Sequence, residues 1–167
     1  SNLGAVVVDT TAPVAPTAAL NADTGVSNND GITSDGKINV TGLEANSTWE
    51  YSTNSGSTWT TGSGSSFTLT AGTYASGAVR VRQTDLAGNV GTPVSLGAIT
   101  VDTTAPSAPN TPDLTDASDT GTSATDNYTN DNTPTFTGTG GSAGDTVTLY
   151  ANGSAVGTGT VDGSGNW

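Results

Sequence analysis

Apolar and polar residues alternate in short segments along the chain. Val79 and Val81 alternate with Arg80 and Arg82, so the valines are predicted to face a core and the arginines solvent on one β-strand. Comparable strand-forming runs, each bounded by turn-forming residues, lie at 37–41, 48–52, 66–70, 78–84, 94–101, 135–138, 146–150 and 154–160. The pattern predicts an all-β protein with many tight turns.

Side-chain alternation also assigns faces within the segment at 48–52. Trp49 and Tyr51 share one face of this strand and are predicted to be core residues, whereas Glu50 lies on the other face. We expect Glu50 to meet Arg80 or Arg82 across the outer surface of the sheet.

An internal repeat organises the chain. Residues 3–16 are LGAVVVDTTAPVAP and residues 96–109 are LGAITVDTTAPSAP, so Asp9 recurs as Asp102, 93 residues later. One immunoglobulin-like β-sandwich needs about 100 residues. We therefore expect tandem immunoglobulin-like β-sandwich domains, the second incomplete. Residues 1–8 are predicted to be the last strand of a preceding domain, 9–101 a complete domain and 102–167 the N-terminal part of a second domain.

The segments between the predicted domains are rich in proline, with Pro13 and Pro16 in the first and Pro106 and Pro109 in the second. Proline fixes φ and biases its neighbours toward extended backbone. Short linkers of this kind predict a semi-rigid rod.

Charge and composition exclude several functions. The chain has three basic and fifteen acidic residues, for a net charge of −12, and it has no Cys or His. A nucleic-acid-binding surface needs Lys and Arg, and a Ser–His–Asp triad needs histidine. No stretch approaches the ~20 apolar residues of a membrane helix, so membrane insertion is not expected. The only glutamates, Glu44 and Glu50, suggest no cleft, and no enzymatic activity is predicted.

Two loops keep their acidic residues in the same register. Residues 23–35 are DTGVSNNDGITSD and residues 119–131 are DTGTSATDNYTND, so three aspartates recur at a common offset of 96. Ca²⁺ takes six to eight oxygen ligands in flexible geometry, and Zn²⁺ is not expected without His or Cys. We predict calcium ligands at Asp23, Asp30, Asp35, Asp119, Asp126 and Asp131. The alternative is that these aspartates only form turns.

Sandwich topology places the acidic residues at the two ends of the complete domain. Asp23, Asp30 and Asp35 are expected near the exit linker and Asp102. At the entrance, Asp9 is expected to approach the turn at 84–89, which contains Asp85 and Asn89. Clustered carboxylates repel one another unless a cation bridges them, and a bridging cation would hold successive domains in line.

Several motifs along the chain resemble one known family. The VDTTAP linkers, GLEANSTWEYSTNSGSTW, VRQTDLAGN and TPTFTGTG…DTVTLYANGSAVGTGTVDGSGNW resemble bacterial immunoglobulin-like repeats. Such repeats form the shafts of giant non-fimbrial adhesins and biofilm-associated surface proteins, which are exported by type I secretion. The resemblance implies a secreted protein at the bacterial cell surface. It also implies that Asp9, Asp23, Asp30, Asp85, Asn89, Asp102, Asp119 and Asp126 are calcium ligands. The second unit has no counterpart of the TDLAGN turn.

Three roles follow from these observations. The first is a calcium-stiffened stalk segment whose partners are the neighbouring Ig-like repeats of the same chain. The second is a module that binds carbohydrate or a host protein through Trp59, Tyr74 or Tyr128. The third concerns assembly: residues 1–8 could complete the second sandwich of a neighbouring chain and form a fibre by strand complementation.

Overall fold

The computed structural model describes residues 4–167, which contain strands and turns and no helix. The described chain divides into two compact units with a boundary between Thr103 and Thr104. We refer to the part up to Thr103 as unit 1 and to Thr104–Trp167 as unit 2. The predicted all-β fold, in immunoglobulin-like β-sandwich domains, is confirmed.

Unit 1 contains ten short strands. They are β1 (Thr17–Leu20), β2 (Ile32–Thr33), β3 (Lys37–Thr41), β4 (Thr48–Ser52), β5 (Thr60–Thr61), β6 (Ser66–Thr68), β7 (Gly72–Tyr74), β8 (Arg80–Thr84), β9 (Val94–Ser95) and β10 (Ile99–Val101). One sheet has the order β1-β3-β6, and another has the order β5-β4-β8-β9. In a third, β10 lies between β2 and β7, parallel to β2 and antiparallel to β7.

The core of unit 1 draws side chains from all three sheets. Ile38 from β3, Val81 from β8 and Ile99 from β10 belong to one buried cluster. Trp49 is only 4% exposed, and its indole N–H donates to the Gly64 carbonyl at 3.0 Å. The ring of Tyr51 stacks on Phe67 with centroids 4.1 Å apart. The predicted core role of Trp49 and Tyr51 is confirmed.

The outer face of β4 and β8 carries the predicted ion pair. Glu50 and Arg82 lie opposite each other in the register, and Arg82 Nη2 lies 2.8 Å from Glu50 Oε2. The arginine also covers the ring of Trp59, with its guanidinium carbon 4.0 Å from the ring centroid.

Unit 2 contains four strands, β11 (Asp113–Leu114), β12 (Phe136–Thr137), β13 (Thr146–Ala151) and β14 (Ser154–Thr160). β11 pairs with β12, and the backbones of Gly138 and Trp167 exchange two hydrogen bonds beside this pair. β13 and β14 form a hairpin. Its turn residues Asn152 and Gly153 both have positive φ, 50° and 80°, which is the left-handed backbone that an Asn-Gly hairpin turn requires.

Candidate metal-binding loops

The loop at residues 23–35, called loop 1 from here, is folded by its own carboxylates. Asp23 Oδ2 accepts a hydrogen bond from the Gly31 N–H at 2.9 Å. Asp30 Oδ1 accepts from the N–H of Ile32 at 2.9 Å. Asp35 Oδ1 accepts from the N–H of Lys37 at 3.0 Å. Each aspartate therefore acts as an acceptor that closes a turn of its own loop.

The loop at residues 119–131, loop 2, repeats these bonds one for one at the offset of 96. Asp119 Oδ2 accepts from the N–H of Asn127 at 3.1 Å. Asp126 Oδ1 accepts from Tyr128 N–H at 3.1 Å. Asp131 Oδ1 accepts from Thr133 N–H at 2.9 Å.

Threonine hydroxyls complete the same network in both loops. The Ser34 N–H donates to Thr24 Oγ1 at 2.7 Å, and the Asn130 N–H donates to Thr120 Oγ1 at 3.0 Å. The hydroxyls of Thr33 and Thr129 accept from the N–H two residues later, each at 3.0 Å. This shared network is sufficient to explain why the aspartates keep their register, so the register by itself does not indicate a metal.

One backbone position makes the network possible in each loop. Gly31 has φ 76° and Asn127, at the equivalent position, has φ 60°. Glycine and asparagine are the residues that most readily adopt this left-handed conformation. The N–H groups of these two residues are the ones bound by Asp23 and Asp119.

The network leaves one oxygen in each loop without a partner. Asp23 Oδ1 and Asp119 Oδ1 are both buried and accept no hydrogen bond from any group in residues 4–167. The Asp119 residue as a whole is only 5% exposed. A buried carboxylate oxygen without a hydrogen-bond donor destabilises the folded state. The same unpartnered oxygen occurs at equivalent positions of both loops, so it is a shared feature of their structure.

Several oxygen atoms of loop 2 lie close to Gly121. A Cβ added to Gly121 would lie 3.1 Å from the carbonyl oxygen of Tyr128, 3.5 Å from Asp126 Oδ1 and 3.7 Å from the carbonyl oxygen of Ser123. Carboxylate and carbonyl oxygens are the donors that Ca²⁺ selects. No three acidic side chains in the described residues converge on one metal position, so a cation here would draw mainly on backbone oxygens.

Hydrogen bonds keep several of the acidic side chains ionised. The Asn21 amide, followed by the Lys37 N–H, lowers the pKa of Asp35. The Thr133 N–H is the largest influence that lowers the pKa of Asp131, and the Asn89 side chain does the same for the pKa of Asp85. These carboxylates therefore stay ionised to a lower pH than an ordinary aspartate.

Loop 1 lies against the exit strand of unit 1, as predicted. The carbonyl of Gly31 accepts from the N–H of Thr100 at 2.8 Å, and the carbonyl of Thr33 accepts from the N–H of Asp102 at 2.9 Å. A Cβ on Gly31 would lie 2.5 Å from the carbonyl oxygen of Ala98. These contacts are made by backbone groups of the loop and of the exit strand.

Residues 9–16, called the entrance segment from here, contact the turn that contains Asp85 and Asn89, also as predicted. The Asn89 amide nitrogen donates to the Asp9 carbonyl at 3.1 Å and to Asp85 Oδ2 at 2.8 Å. Asn89 N–H donates to Asp85 Oδ1 at 2.8 Å. The contact with Asp9 uses its backbone oxygen, while its carboxylate accepts from the N–H of Thr11.

Gln83 is a structural anchor that the sequence pattern missed. It is fully buried, and its amide nitrogen donates to the carbonyls of Val14, at 2.7 Å, and Gly42. Its amide oxygen accepts from the N–H of Glu44 at 2.9 Å and from the Ser47 hydroxyl. Gln83 continues the alternation of the inward-facing Val79 and Val81, so its position in the sequence indicated a buried polar side chain.

A second turn of the Asp85–Asn89 type was also missed. The Asp162 and Asn166 backbones, like those of Asp85 and Asn89, are joined by a hydrogen bond from the aspartate N–H to the asparagine carbonyl. Asp162 Oδ1 accepts from the N–H of Asn166 at 2.9 Å. The shared signal is Asp-x-x-Gly-Asn, with positive φ at Gly88 and Gly165. The turn at Asp162 follows β14, whereas the turn at Asp85 follows β8, so the two turns are alike only locally.

The three aromatic residues considered for carbohydrate binding differ in accessibility. Trp59 is half-buried beneath Arg82. Tyr74 is half-buried against the core of unit 1, and its hydroxyl donates to the Thr70 carbonyl. Tyr128 in loop 2 is 76% exposed. Only Tyr128 presents an open aromatic surface among these three.

Comparison with protein families matches residues 105–167 to the bacterial Ig-like domain. The match supports a bacterial Ig-like domain in this part of the chain, as the sequence motifs indicated. Domains of this kind are typical of extracellular and surface proteins and are typically non-enzymatic. A comparison with curated proteins found no match. Among the described residues, no helix has the length and apolar character needed to cross a membrane.

Proposed function

We propose that the chain is a stalk segment of a secreted bacterial adhesin in which Ca²⁺, bound at loops and domain junctions, stiffens a rod of Ig-like domains. The stalk presents a distal adhesive domain away from the cell, and type I secretion is the expected export route. The observation that carries the calcium proposal is the buried, unpartnered Oδ1 of Asp23 and its equivalent in Asp119.

A cation at these oxygens would remove the cost of burying an unpaired charge. In loop 2, Asp119 Oδ1 would be an anionic ligand. The Asp126 carboxylate and the carbonyl oxygens of Ser123 and Tyr128, which lie close to Gly121, are the further candidates in this loop. The remaining proposed ligands are Asp9, Asp30, Asp35, Asp85, Asn89, Asp102 and Asp131. Ca²⁺ supplies charge neutralisation and several coordination bonds at once.

The entrance segment supports a stiff rod at the level of unit 1. Pro13 and Pro16 are buried against the domain. Val14 is held at both backbone groups, because its N–H donates to Glu44 Oε1 at 3.2 Å and its carbonyl accepts from Gln83. A linker fixed in this way moves with the domain that follows it.

Calorimetric titration of Ca²⁺ into the chain tests the binding proposal. We expect saturable binding that weakens in Asp23→Asn and Asp119→Asn, because each change removes the charge of the unpartnered oxygen. Asp116→Asn is the charge-matched control, since Asp116 is exposed and lies outside both loops. Equal binding by all four proteins would exclude loops 1 and 2 as the sites.

The second candidate function is a carbohydrate- or host-protein-binding module. The exposed ring of Tyr128 is the observation that favours it, because sugars stack on open aromatic faces. Glycan-array binding by the chain that is lost in Tyr128→Ala would support this role. Absence of binding would leave the stalk proposal unaffected.

A further inference from the structure

Both arginines of the chain lie in a stretch of unit 1 that has no acidic residue. Residues 51–84 contain Arg80 and Arg82 and no aspartate or glutamate, whereas the whole chain has a net charge of −12. The arginines alternate with the buried Val79 and Val81, so their half-buried side chains project from the outer face of the sheet β5-β4-β8-β9. This face brings positive charge to the surface of a strongly acidic protein, where it attracts anionic ligands.

The two guanidinium groups differ in how their charge is neutralised. Arg82 Nη2 lies 2.8 Å from Glu50 Oε2. Within residues 4–167, no carboxylate lies at ion-pair distance from Arg80. The hydrogen bond that its guanidinium makes in this part of the chain runs from Nε to the Gly77 carbonyl, at 2.9 Å. The terminal nitrogens of Arg80, Nη1 and Nη2, are therefore available to an acceptor from outside the protein.

Two turns border the Arg80 guanidinium, and each places a glycine next to it. A Cβ added to Gly56 would lie 3.7 Å from Nη1, and a Cβ added to Gly77 would lie 4.0 Å from Nη2. Both glycines have positive φ, 89° and 78°, which glycine adopts at no steric cost. The turns are joined to each other, because the Ser55 N–H donates to the Ala78 carbonyl at 2.9 Å. The guanidinium thus has a fixed position, and neither glycine has a side chain that could cover its terminal nitrogens.

Exposed hydroxyl groups lie near this position. Ser95 on β9 is directly opposite Arg80 in the strand register, so the two side chains share the outer face. Ser95 is exposed, and its hydroxyl makes no hydrogen bond with the described residues. Ser57 and Ser76, in the two bordering turns, are exposed as well. A fixed guanidinium beside hydroxyl groups suits a carboxylate that carries hydroxyl groups of its own.

The sheet order disfavours a peptide as the occupant. β8 lies between β4 and β9, and the register pairs Arg80 with Ser52 on one side and with Ser95 on the other. The backbone beside Arg80 therefore offers no strand edge to which a peptide could add. A saccharide needs no such edge, because it is bound through its charge and its hydroxyl groups.

We propose that Arg80, with Ser95 beside it, binds the carboxylate of an acidic saccharide, such as a uronate unit of a polysaccharide, on the outer face of unit 1. Nη1 and Nη2 would donate to the two carboxylate oxygens as a fork, the geometry in which arginine binds carboxylates most strongly. The site uses no metal, so it stands apart from the calcium proposal. A stalk segment with this site would itself take part in adhesion.

Heteronuclear NMR titration with a short galacturonate oligosaccharide tests the proposal, with EGTA present so that calcium cannot bridge the sugar to the acidic loops. We expect saturable shifts at the Arg80 side-chain N–H and at the amides of Gly77 and Ser95. The neutral galactose oligosaccharide of equal length should cause none. Added salt should weaken the binding, because it screens the charge of a partly exposed site.

Variants separate the Arg80 site from general charge effects, and their spectra also report whether each variant is folded. Arg80→Gln should weaken binding at least about tenfold, because it removes hydrogen bonds to a charged group. Lys37→Gln removes the same charge from an exposed position on β3, in another sheet, and should bind like the parent. Ser95→Asp puts a carboxylate opposite Arg80 and should block the site, whereas Ser95→Asn should weaken binding far less.

Three outcomes would overturn the proposal. One is the absence of saturable shifts with galacturonate, and another is equal affinity in Arg80→Gln and the parent. The third is an oligo-aspartate peptide that binds as tightly as the galacturonate, since the site would then take carboxylates of any kind and the assignment to a saccharide would be wrong.

Discussion

Asp23 and Asp119 have the same arrangement in two different loops, with one carboxylate oxygen hydrogen-bonded and the other unpartnered. In each, Oδ2 accepts from the N–H of the residue eight positions later, Gly31 or Asn127, and Oδ1 is buried without a protein donor. One carboxylate oxygen therefore folds the loop, and the other is available to a cation. The two roles can be separated by mutation.

Replacing either aspartate by asparagine should change the stability of the chain differently in EGTA and in calcium. In Asp119→Asn the side-chain oxygen can still accept from Asn127, while the buried charge is removed. We expect the variant to be at least as stable as the parent in EGTA, because an unpaired buried charge is costly, and to gain less stability from calcium. Urea unfolding in both buffers measures this. A loss of stability in EGTA with the full calcium gain retained would show that the charge has only a local structural role.

The close approach of loop 1 to β10 predicts a position-specific cost for alanine. Gly31 and Gly64 both have positive φ, 76° and 63°, but only at Gly31 would a Cβ meet another backbone, the Ala98 carbonyl at 2.5 Å. Gly64→Ala should cost about 1–2 kcal/mol for the left-handed backbone alone. Gly31→Ala should cost clearly more when measured by urea unfolding. Equal losses would mean that loop 1 does not pack against β10 as closely as described.

The buried amide of Gln83 predicts that the entrance segment loosens when the amide is removed. Gln83→Leu leaves the N–H of Glu44 and the carbonyl of Val14 without this partner. The cost is at most about 1–3 kcal/mol for each group, because both bonds are only part-buried. Hydrogen exchange should accelerate at Val14. Glu44→Gln is the control, because an amide oxygen can still accept from Val14 and the affected bond is exposed. Unchanged exchange in Gln83→Leu would show that the prolines alone hold the segment.

Acid should weaken the turns closed by aspartate. Hydrogen bonds from Asn89 lower the pKa of Asp85, and bonds from Asn166 and Ser164 lower the pKa of Asp162. A lowered folded-state pKa gives stability that is present above the unfolded value of about 3.9 and is lost as pH falls through the folded value. Stability in EGTA should therefore be level near neutral pH and fall below about pH 4. Asp85→Asn should reduce this acid-dependent loss, and an unchanged profile would contradict the assignment.

Local alternation was sufficient to predict individual strands but not how they are shared among sheets. The strands at Lys37–Thr41, Thr48–Ser52 and Ser154–Thr160 have the predicted bounds. The single strand predicted at 94–101 is instead two, because β9 pairs with β8 and β10 pairs with β2 and β7. Residues 96–98 carry the chain from one sheet to another. This change of sheet depends on which strands, distant in sequence, pair with β9 and β10. Side-chain alternation carries no information on strand pairing.

The acidic register shows a similar limit at the candidate site. The spacing of Asp23, Asp30 and Asp35 identified the loop and its equivalent correctly, since all three aspartates bind the loop backbone. The sequence could not distinguish acids that close turns from acids with a free oxygen. That distinction depends on burial of a single atom, Asp23 Oδ1 or Asp119 Oδ1.

The most direct test of the stalk account is a thermal unfolding curve of the chain in millimolar calcium compared with one in excess EGTA. Selective binding to the folded state raises the unfolding temperature, so the account predicts a clear upward shift in calcium that is reduced in Asp23→Asn/Asp119→Asn. Coincident curves would contradict it: the aspartates would then be turn formers only, and the chain a β-sandwich spacer that does not use calcium.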